Sequence, residues 1–416
     1  VPPPPGVRVV LDVRPLQTPD RAPLAAAYLE ELLAAYDKAP IGGESFALFL
    51  RSDLPDPTTQ FAALDIVGRR LVPPTRLLGA AGMTVDPFVL RGASIGVAWR
   101  AEDSGAAGAV YHAVGGSPLP IAPSLPVVVT LLDLAPWEMP QTFQASIAGR
   151  FGHRLRAQQV HEAAAVIVGT QAVARAARRL LHVRRERVHI VPIPPRAAFA
   201  ARPTKRSEKA ATALLEKMGI DGRFLVFAGR YDARLDHGSM LGALASLARR
   251  PRPSALDPEV PWPPRVLLTG ASPDDRASIA RTASRHGVSE WLTYAPALST
   301  EALAGVVRAA RAAILPVLSE SAGLPVIEAL TAGTPVVASA TGALPELVGQ
   351  AGLLVDPGDP ERLATALAAI WADDTVHGRV TEAAAVRAKA SRHTWADVAR
   401  ETRGIYAEVG VRSAGR

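Results

Sequence analysis

Short apolar runs rich in β-branched residues alternate with longer amphipathic segments along this 416-residue chain, and that alternation limits its fold more than any other feature. A first set of strand candidates comprises Val7–Val13, Ser45–Phe49, Ala109–His112, Val127–Leu131, Ala165–Val168 and Val188–Val191. A second comprises Phe224–Ala228, Arg265–Thr269, Trp291–Tyr294, Ala312–Leu315, Pro335–Ala338 and Leu353–Val355. Several are unbroken apolar runs, the pattern of parallel strands covered on both faces. Helical periodicity lies between them, for example over Leu24–Tyr36, His237–Leu247, Asp274–His286, Glu301–Ala310 and Pro360–Ala372. Strand–helix alternation of this kind predicts doubly wound α/β sheets. At roughly 100–200 residues per domain the chain is too long for one core, so two such sheets are expected.

Pro194-Pro195 and Arg202-Pro203 punctuate the chain after the sixth strand candidate, which places the boundary there. The expected division is residues 1–200, residues 201–393, and a helix over 394–416 that packs back on the first domain. The stretch Arg250–Arg265 holds six prolines but lies between a helix and a strand of the second set, so it reads as a surface loop insertion.

Apolar residues make up 48% and charged ones 20%, enough to bury a core, and the absence of cysteine excludes disulfides, thiolate zinc sites and cysteine nucleophiles. The longest apolar stretch, Val127–Ala135, contains Asp133 and is far short of a membrane span. The net charge of +7 comes with only 5% aromatics, which argues against nucleic acid, since single-strand binding wants stacking platforms. Plain solubility, an anionic small substrate or an anionic membrane surface fit better. Arg150, Arg154 and Arg156 share one predicted helix, and Arg175, Arg178 and Arg179 share a face of the next. The plain reading is a solvated face; the sharper one is docking onto an anionic inner leaflet. The expected location is therefore the cytoplasm, with peripheral association at the membrane's inner face.

Leu315–Asp359 carries the chemistry. A buried strand ends near Leu315, the polar loop Ser319-Glu320-Ser321-Ala322-Gly323 follows, and a helix starts at Leu324 with Pro325 in its first turn. Proline is harmless there because that N–H has no helical partner anyway. Amides at the head of the helix, with about half a positive charge from the dipole, make an anion site, and Gly323 allows close backbone approach. Glu320 and Glu328 flank the turn. Carboxylates repel phosphate, so their sensible partners are sugar hydroxyls. Diphosphate on amides with hydroxyls on carboxylates is the requirement of a nucleotide-sugar. Taken alone, either glutamate could equally be a solvated helix-end charge.

The segment resembles the donor site of family 4 glycosyltransferases: Glu320, seven residues, Glu328, with Gly323-Leu324-Pro325 between and Gly333-Thr334-Pro335-Val336-Val337 after, continuing through Gly342, Pro345-Glu346 and Asp356-Pro357. The resemblance implies a GT-B fold, with two Rossmann-like domains facing across a cleft. It implies that Glu320 lies near the donor sugar, that Glu328 binds the nucleotide ribose, and that Ser321, Ala322, Gly323, Leu324 and Pro325 form the donor-binding turn. Phe224–Gly229 followed by Arg230 resembles the strand and Gly-Arg pair that reach the diphosphate. Leu235 stands where a lysine is usual, and Arg234 is the candidate to replace it.

In the first half, Thr130-Leu131-Leu132-Asp133-Leu134 resembles a Thr-x-His-Asp-Leu strand end with Leu132 in place of the histidine; Asp133 either orders the site or caps the next turn. The turn Pro19–Leu24 has no glycine where one is usual. The resemblance implies a retaining hexosyltransferase with a nucleoside-diphosphate sugar as donor and a glycan or lipid-linked acceptor. Arg230, Glu320 and Asp133 would act at the reacting centre, and no cofactor or metal is expected. It leans toward mannosyltransferases and GDP-mannose, with UDP-sugars open. The departures at Leu132, Leu235 and the glycine-free turn support an alternative, a noncatalytic nucleotide-sugar-binding paralogue or partner subunit.

Overall fold

The apolar runs pair into two all-parallel sheets in the computed structural model. The structure describes residues 6–72, 107–121, 123–390 and 393–414, with 87 and 90 in addition. The first sheet consists of β1 (Arg8–Asp12), β2 (Ser45–Arg51), β3 (Ile66–Val72), β4 (Ala109–Val114), β5 (Val127–Thr130), β6 (Ala165–Val168) and β7 (Val188–Ile190), in the order β3-β2-β1-β4-β5-β6-β7. The second consists of β8 (Leu225–Phe227), β9 (Val266–Leu268), β10 (Leu292–Tyr294), β11 (Ala312–Leu315), β12 (Val336–Ser339) and β13 (Gly352–Val355), in the order β10-β9-β8-β11-β12-β13. Both orders run outward from the first strand and then reverse, the arrangement of nucleotide-binding doubly wound sheets. The α/β class expected from the alternation is the one observed.

β3 was not anticipated. Gly68, Arg69 and Arg70 dilute its apolar signal, and as an edge strand it alternates between half-buried and exposed residues. Only its pairing with β2 reveals it.

The chain divides into two compact units, Val1–Pro194 with His393–Arg416, and Pro195–Arg392. In the first, the C-terminal helix Trp395–Ala414 lies on the helix Pro23–Lys38 and on β4. A buried polar network fastens it. Arg403 donates bidentately to Glu44 at 2.8 and 2.6 Å, and its guanidinium lies 4.6 Å from the centre of the Tyr36 ring. Tyr406 Oη meets His112 Nδ1 at 2.6 Å, while His112 Nε2 meets Thr130 Oγ1 at 2.8 Å. In the second unit, Trp371 is fully buried and donates Nε1–H to the carbonyl of Pro261, and Trp262 donates to that of Arg250. The first bond ties the proline-rich loop to the helix Pro360–Ala372, and the second closes the loop onto its own start.

Candidate functional site

Ligands of open parallel sheets bind beyond the carboxyl ends of the strands where the order reverses. In the second sheet that point lies between β8 and β11. β8 leads into Ala228-Gly229-Arg230, and β11 leads through Pro316 into Ser319–Gly323. The two segments singled out in the sequence therefore emerge from neighbouring strands at the same end of one sheet.

The turn is built from a buried base outward. Ser319 and Ser321 are buried, and Val317 donates its amide to Ser339 Oγ at 2.9 Å. The Glu320 carbonyl accepts the Ala343 amide at 2.9 Å, which pins the turn from behind. Gly323 adopts φ 65° and ψ 20°, the left-handed region in which a side chain is strained, and opens the helix Leu324–Thr331. Glu320 curls back over its own turn: Oε1 accepts the amides of Ala322 at 3.1 Å and Gly323 at 2.8 Å. The amides expected to meet a phosphate thus hold one carboxylate oxygen of the turn's own glutamate.

Glu328 lies one turn into that helix and is only 4% exposed. It does not face solvent as a helix-end charge would. Arg196 Nε and Nη2 donate to its two oxygens at 2.5 and 2.9 Å. Nothing local in the sequence marks Arg196, which lies 132 residues away after Pro194-Pro195.

Asp232 is a further residue the sequence did not single out. Its Oδ1 accepts the Arg234 amide and Arg234 Nε at 3.0 and 2.9 Å, Arg234 Nη2 binds its Oδ2, and Arg230 Nε lies 3.0 Å from that same Oδ2. Burial pushes the Asp232 carboxyl up, but the Arg234 bonds and the Arg230 charge outweigh it and hold the group below the usual carboxylate range. Arg234 is 8% exposed and directed at Asp232, whereas the Arg230 side chain keeps 35% of its surface. Leu235 is core: it is 6% exposed and forms an antiparallel bridge with Val317. The spacing Asp-x-Arg is the one signal that could have revealed this pair.

In the first sheet the order reverses between β1 and β4. Asp12, at the end of β1, is fully buried and binds Arg14 bidentately at 2.9 and 2.8 Å. Arg156, grouped by the sequence with surface arginines, turns inward and donates to the carbonyls of Gly115, Gly116 and Ser117 just beyond β4. Burial pulls its guanidinium down to about 10, against the raising effect of Asp133. Leu132 is buried, and Asp133 Oδ1 accepts the Ala135 amide at 2.9 Å, a turn-capping bond. Among the described residues, no group of three or more histidines or carboxylates could hold a metal, and no helix is long and apolar enough to cross a membrane.

Two sheets of nucleotide-binding order, one carrying an oxyanion turn where its order reverses, define the GT-B class of fold. Solved structures with the same fold include sucrose-phosphate synthase from Thermosynechococcus elongatus, 21% identical with TM-score 0.68 over 97% of this chain and 98% of that one. Anabaena HepE in complex with UDP and glucose is 15% identical, with TM-score 0.67 over 97% and 100%. WaaG, a glycosyltransferase involved in lipopolysaccharide biosynthesis, is 14% identical, with TM-score 0.68 over 95% and 99%. Residues 222–373, within the second unit, match the family model of the group 1 glycosyl transferases. The chain is 31% identical over 289 residues to the D-inositol 3-phosphate glycosyltransferase of Xylanimonas cellulosilytica, covering 68% of this chain and 64% of that protein. The corresponding enzyme of Jonesia denitrificans is 28% identical over 279 residues, covering 66% and 62%. The alignments thus span a little under two thirds of these relatives' length.

Proposed function

We propose that this protein transfers a hexose from a nucleoside-diphosphate sugar to an acceptor hydroxyl, with retention at the anomeric carbon. The observation that carries the reading is the pair of amides at Ala322 and Gly323 converging on one carboxylate oxygen at 3.1 and 2.8 Å. That turn already binds an oxyanion, within the segment that matches the family. The donor diphosphate takes the place of the Glu320 carboxylate on these amides, and the released carboxylate accepts from the donor hexose. Arg230, half-exposed and steadied by Asp232, meets the diphosphate as a charge-assisted donor. Glu328 accepts from the ribose.

In the reaction the bond between the anomeric carbon and the diphosphate oxygen breaks. The acceptor oxygen bonds to the same face of that carbon, and its proton passes to the departing diphosphate. The protein supplies no nucleophile; its amides and Arg230 stabilise charge growing on the leaving group, the preorganised electrostatic contribution that usually dominates catalysis. The family look of the donor segment favours mannose carried on GDP, while UDP and UDP-glucose occupy the Anabaena neighbour. The acceptor is a glycan or a lipid-linked sugar. An anionic membrane face as partner is supported by the exposed Ile147 and Phe151 beside Arg150 and Arg154.

A second reading, a nucleotide-sugar-binding subunit without transfer activity, is favoured by Leu132 and Leu235, both buried apolar side chains where the family pattern has polar ones. One experiment bears on both. Thermal unfolding is followed with UDP, GDP, UDP-glucose and GDP-mannose against the free nucleosides. A ligand at 100 times its dissociation constant stabilises by about 2.7 kcal/mol. Stabilisation that requires the diphosphate supports the site, and no shift from any nucleotide at millimolar concentration overturns it. Release of free nucleoside diphosphate in the presence of cell lipid or glycan extract then separates the enzyme from the subunit.

A further inference from the structure

We infer that Arg196 is a positioning residue for the nucleoside, fixing the Glu328 carboxylate in the orientation that receives the ribose diol. This rests on the placement of ribose at Glu328 given above. Three features support it.

The first is geometry. Arg196 meets both oxygens of Glu328 edge-on, Nε at 2.5 Å and Nη2 at 2.9 Å. Such a fork fixes the plane and the roll of a carboxylate together, which a single hydrogen bond does not. An ionised carboxylate accepts about four hydrogen bonds, so a bidentate guanidinium orients it without exhausting its acceptor capacity.

The second is that the arginine is itself held. Its guanidinium carbon lies 5.4 Å from the centre of the buried Phe199 ring, and Nη1 reaches Thr300 Oγ1 at 3.4 Å. The backbone delivering it follows Pro194-Pro195, whose rings fix two successive φ angles. Arg196 then caps the short helix Ala197–Ala200 in an extended conformation, φ −60° and ψ 150°. A stiff approach and an aromatic floor leave this side chain little freedom.

The third is burial. The Glu328 side chain retains 5% of its surface and that of Arg196 23%. A carboxylate so enclosed is costly without a cationic partner, and one whose partner is removed turns or takes up a proton. In either case it ceases to be a fixed double acceptor for a diol.

The test measures discrimination rather than affinity alone. Binding of UDP and of dideoxy-UDP, and of GDP and dideoxy-GDP, is measured by calorimetry for the parent protein and for Arg196→Met, Arg196→Lys and Glu328→Ala. Two hydroxyls donating to a charged acceptor predict that the parent prefers the ribonucleotide by about ten-fold or more. Arg196→Met brings that ratio to within about two-fold, leaves dideoxynucleotide binding near the parent value, and Arg196→Lys restores part of the preference. A purely structural role lowers binding of both nucleotides together and keeps the ratio. An unchanged ratio in Arg196→Met, or tighter ribonucleotide binding than in the parent, overturns the inference while Glu328→Ala still reports on the ribose placement. If the parent shows no preference, the placement at Glu328 fails first and this inference with it. The lysine variant keeps the positive charge, so a folding defect confined to the methionine variant still leaves a decisive comparison.

Discussion

A methyl group on Gly342 would come within 1.9 Å of the Glu320 carbonyl oxygen, a backbone atom that has nowhere to go. Gly342 also adopts φ 55°, where an L-residue is strained by roughly 1–2 kcal/mol. Gly342→Ala therefore pushes on the turn holding Ala322 and Gly323, and it is expected to cost more than about 2 kcal/mol in urea unfolding and to abolish nucleotide-dependent stabilisation. A wild-type urea midpoint with intact nucleotide response would contradict this account of how the turn is pinned. At this scale the contiguous part of the site was legible: Glu320, Gly323 and Glu328 lie within one strand–turn–helix, where spacing along the chain translates directly into position. Arg196 and Asp12 were not, because what matters about them is which distant group they meet. Arg234 was named, but the neighbouring Asp232 that binds it was not, because the charge of the arginine was weighed without the carboxylate two residues before it.

The C-terminal helix shows the same division one level up. Its existence could be read from the sequence, while its attachment depends on a polar chain from Glu44 and Arg403 through Tyr36 and Tyr406 to His112 and Thr130. His112 lies inside a fully apolar-flanked strand and is completely buried, so nothing in β4 distinguishes it from a core residue. Burial pushes its imidazole down to about 3. In the unfolded chain the same group titrates near 6.5, so below that pH the unfolded state takes up a proton that the folded state refuses. Stability contributed by the neutral ring is thus complete above pH 6.5 and is lost progressively as pH falls toward 3, at up to about 1.4 kcal/mol per pH unit. His112→Gln is expected to flatten the fall in urea stability between pH 7 and pH 5 relative to the parent. Equal slopes for the two proteins would show that His112 is not the group responsible.

Across the whole molecule the net charge of +7 is less informative than where charge and apolar surface coincide. The helix Ile147–Glu162 buries Gly149 and Gly152 on its inner side and displays Ile147, 79% exposed, and Phe151, 56% exposed, on its outer side. By spacing, an apolar pair at i and i+4 reads as a core stripe, which is why the sequence drew attention only to the arginines. Arg150 and Arg154, three residues after Ile147 and Phe151 respectively, lie on the same exposed face and form no ion pair among the described residues. Two greasy side chains flanked by exposed guanidinium groups suit the headgroup region of an anionic bilayer, where each basic residue contributes about 1 kcal/mol and the apolar ones anchor by insertion. Protein mixed with phosphatidylglycerol vesicles is expected to sediment with them and to stay in solution with phosphatidylcholine alone, the association weakening as salt rises. Ile147→Asp with Phe151→Asp should abolish sedimentation without changing the nucleotide binding proposed for the second unit. Arg150→Glu with Arg154→Glu should do the same. Because Arg156 is spent on the Gly115–Ser117 carbonyls, its reversal should destabilise the first unit rather than act as a surface change. If the aspartate pair sediments like the parent, the basic charge elsewhere is sufficient and this helix is not what meets the membrane.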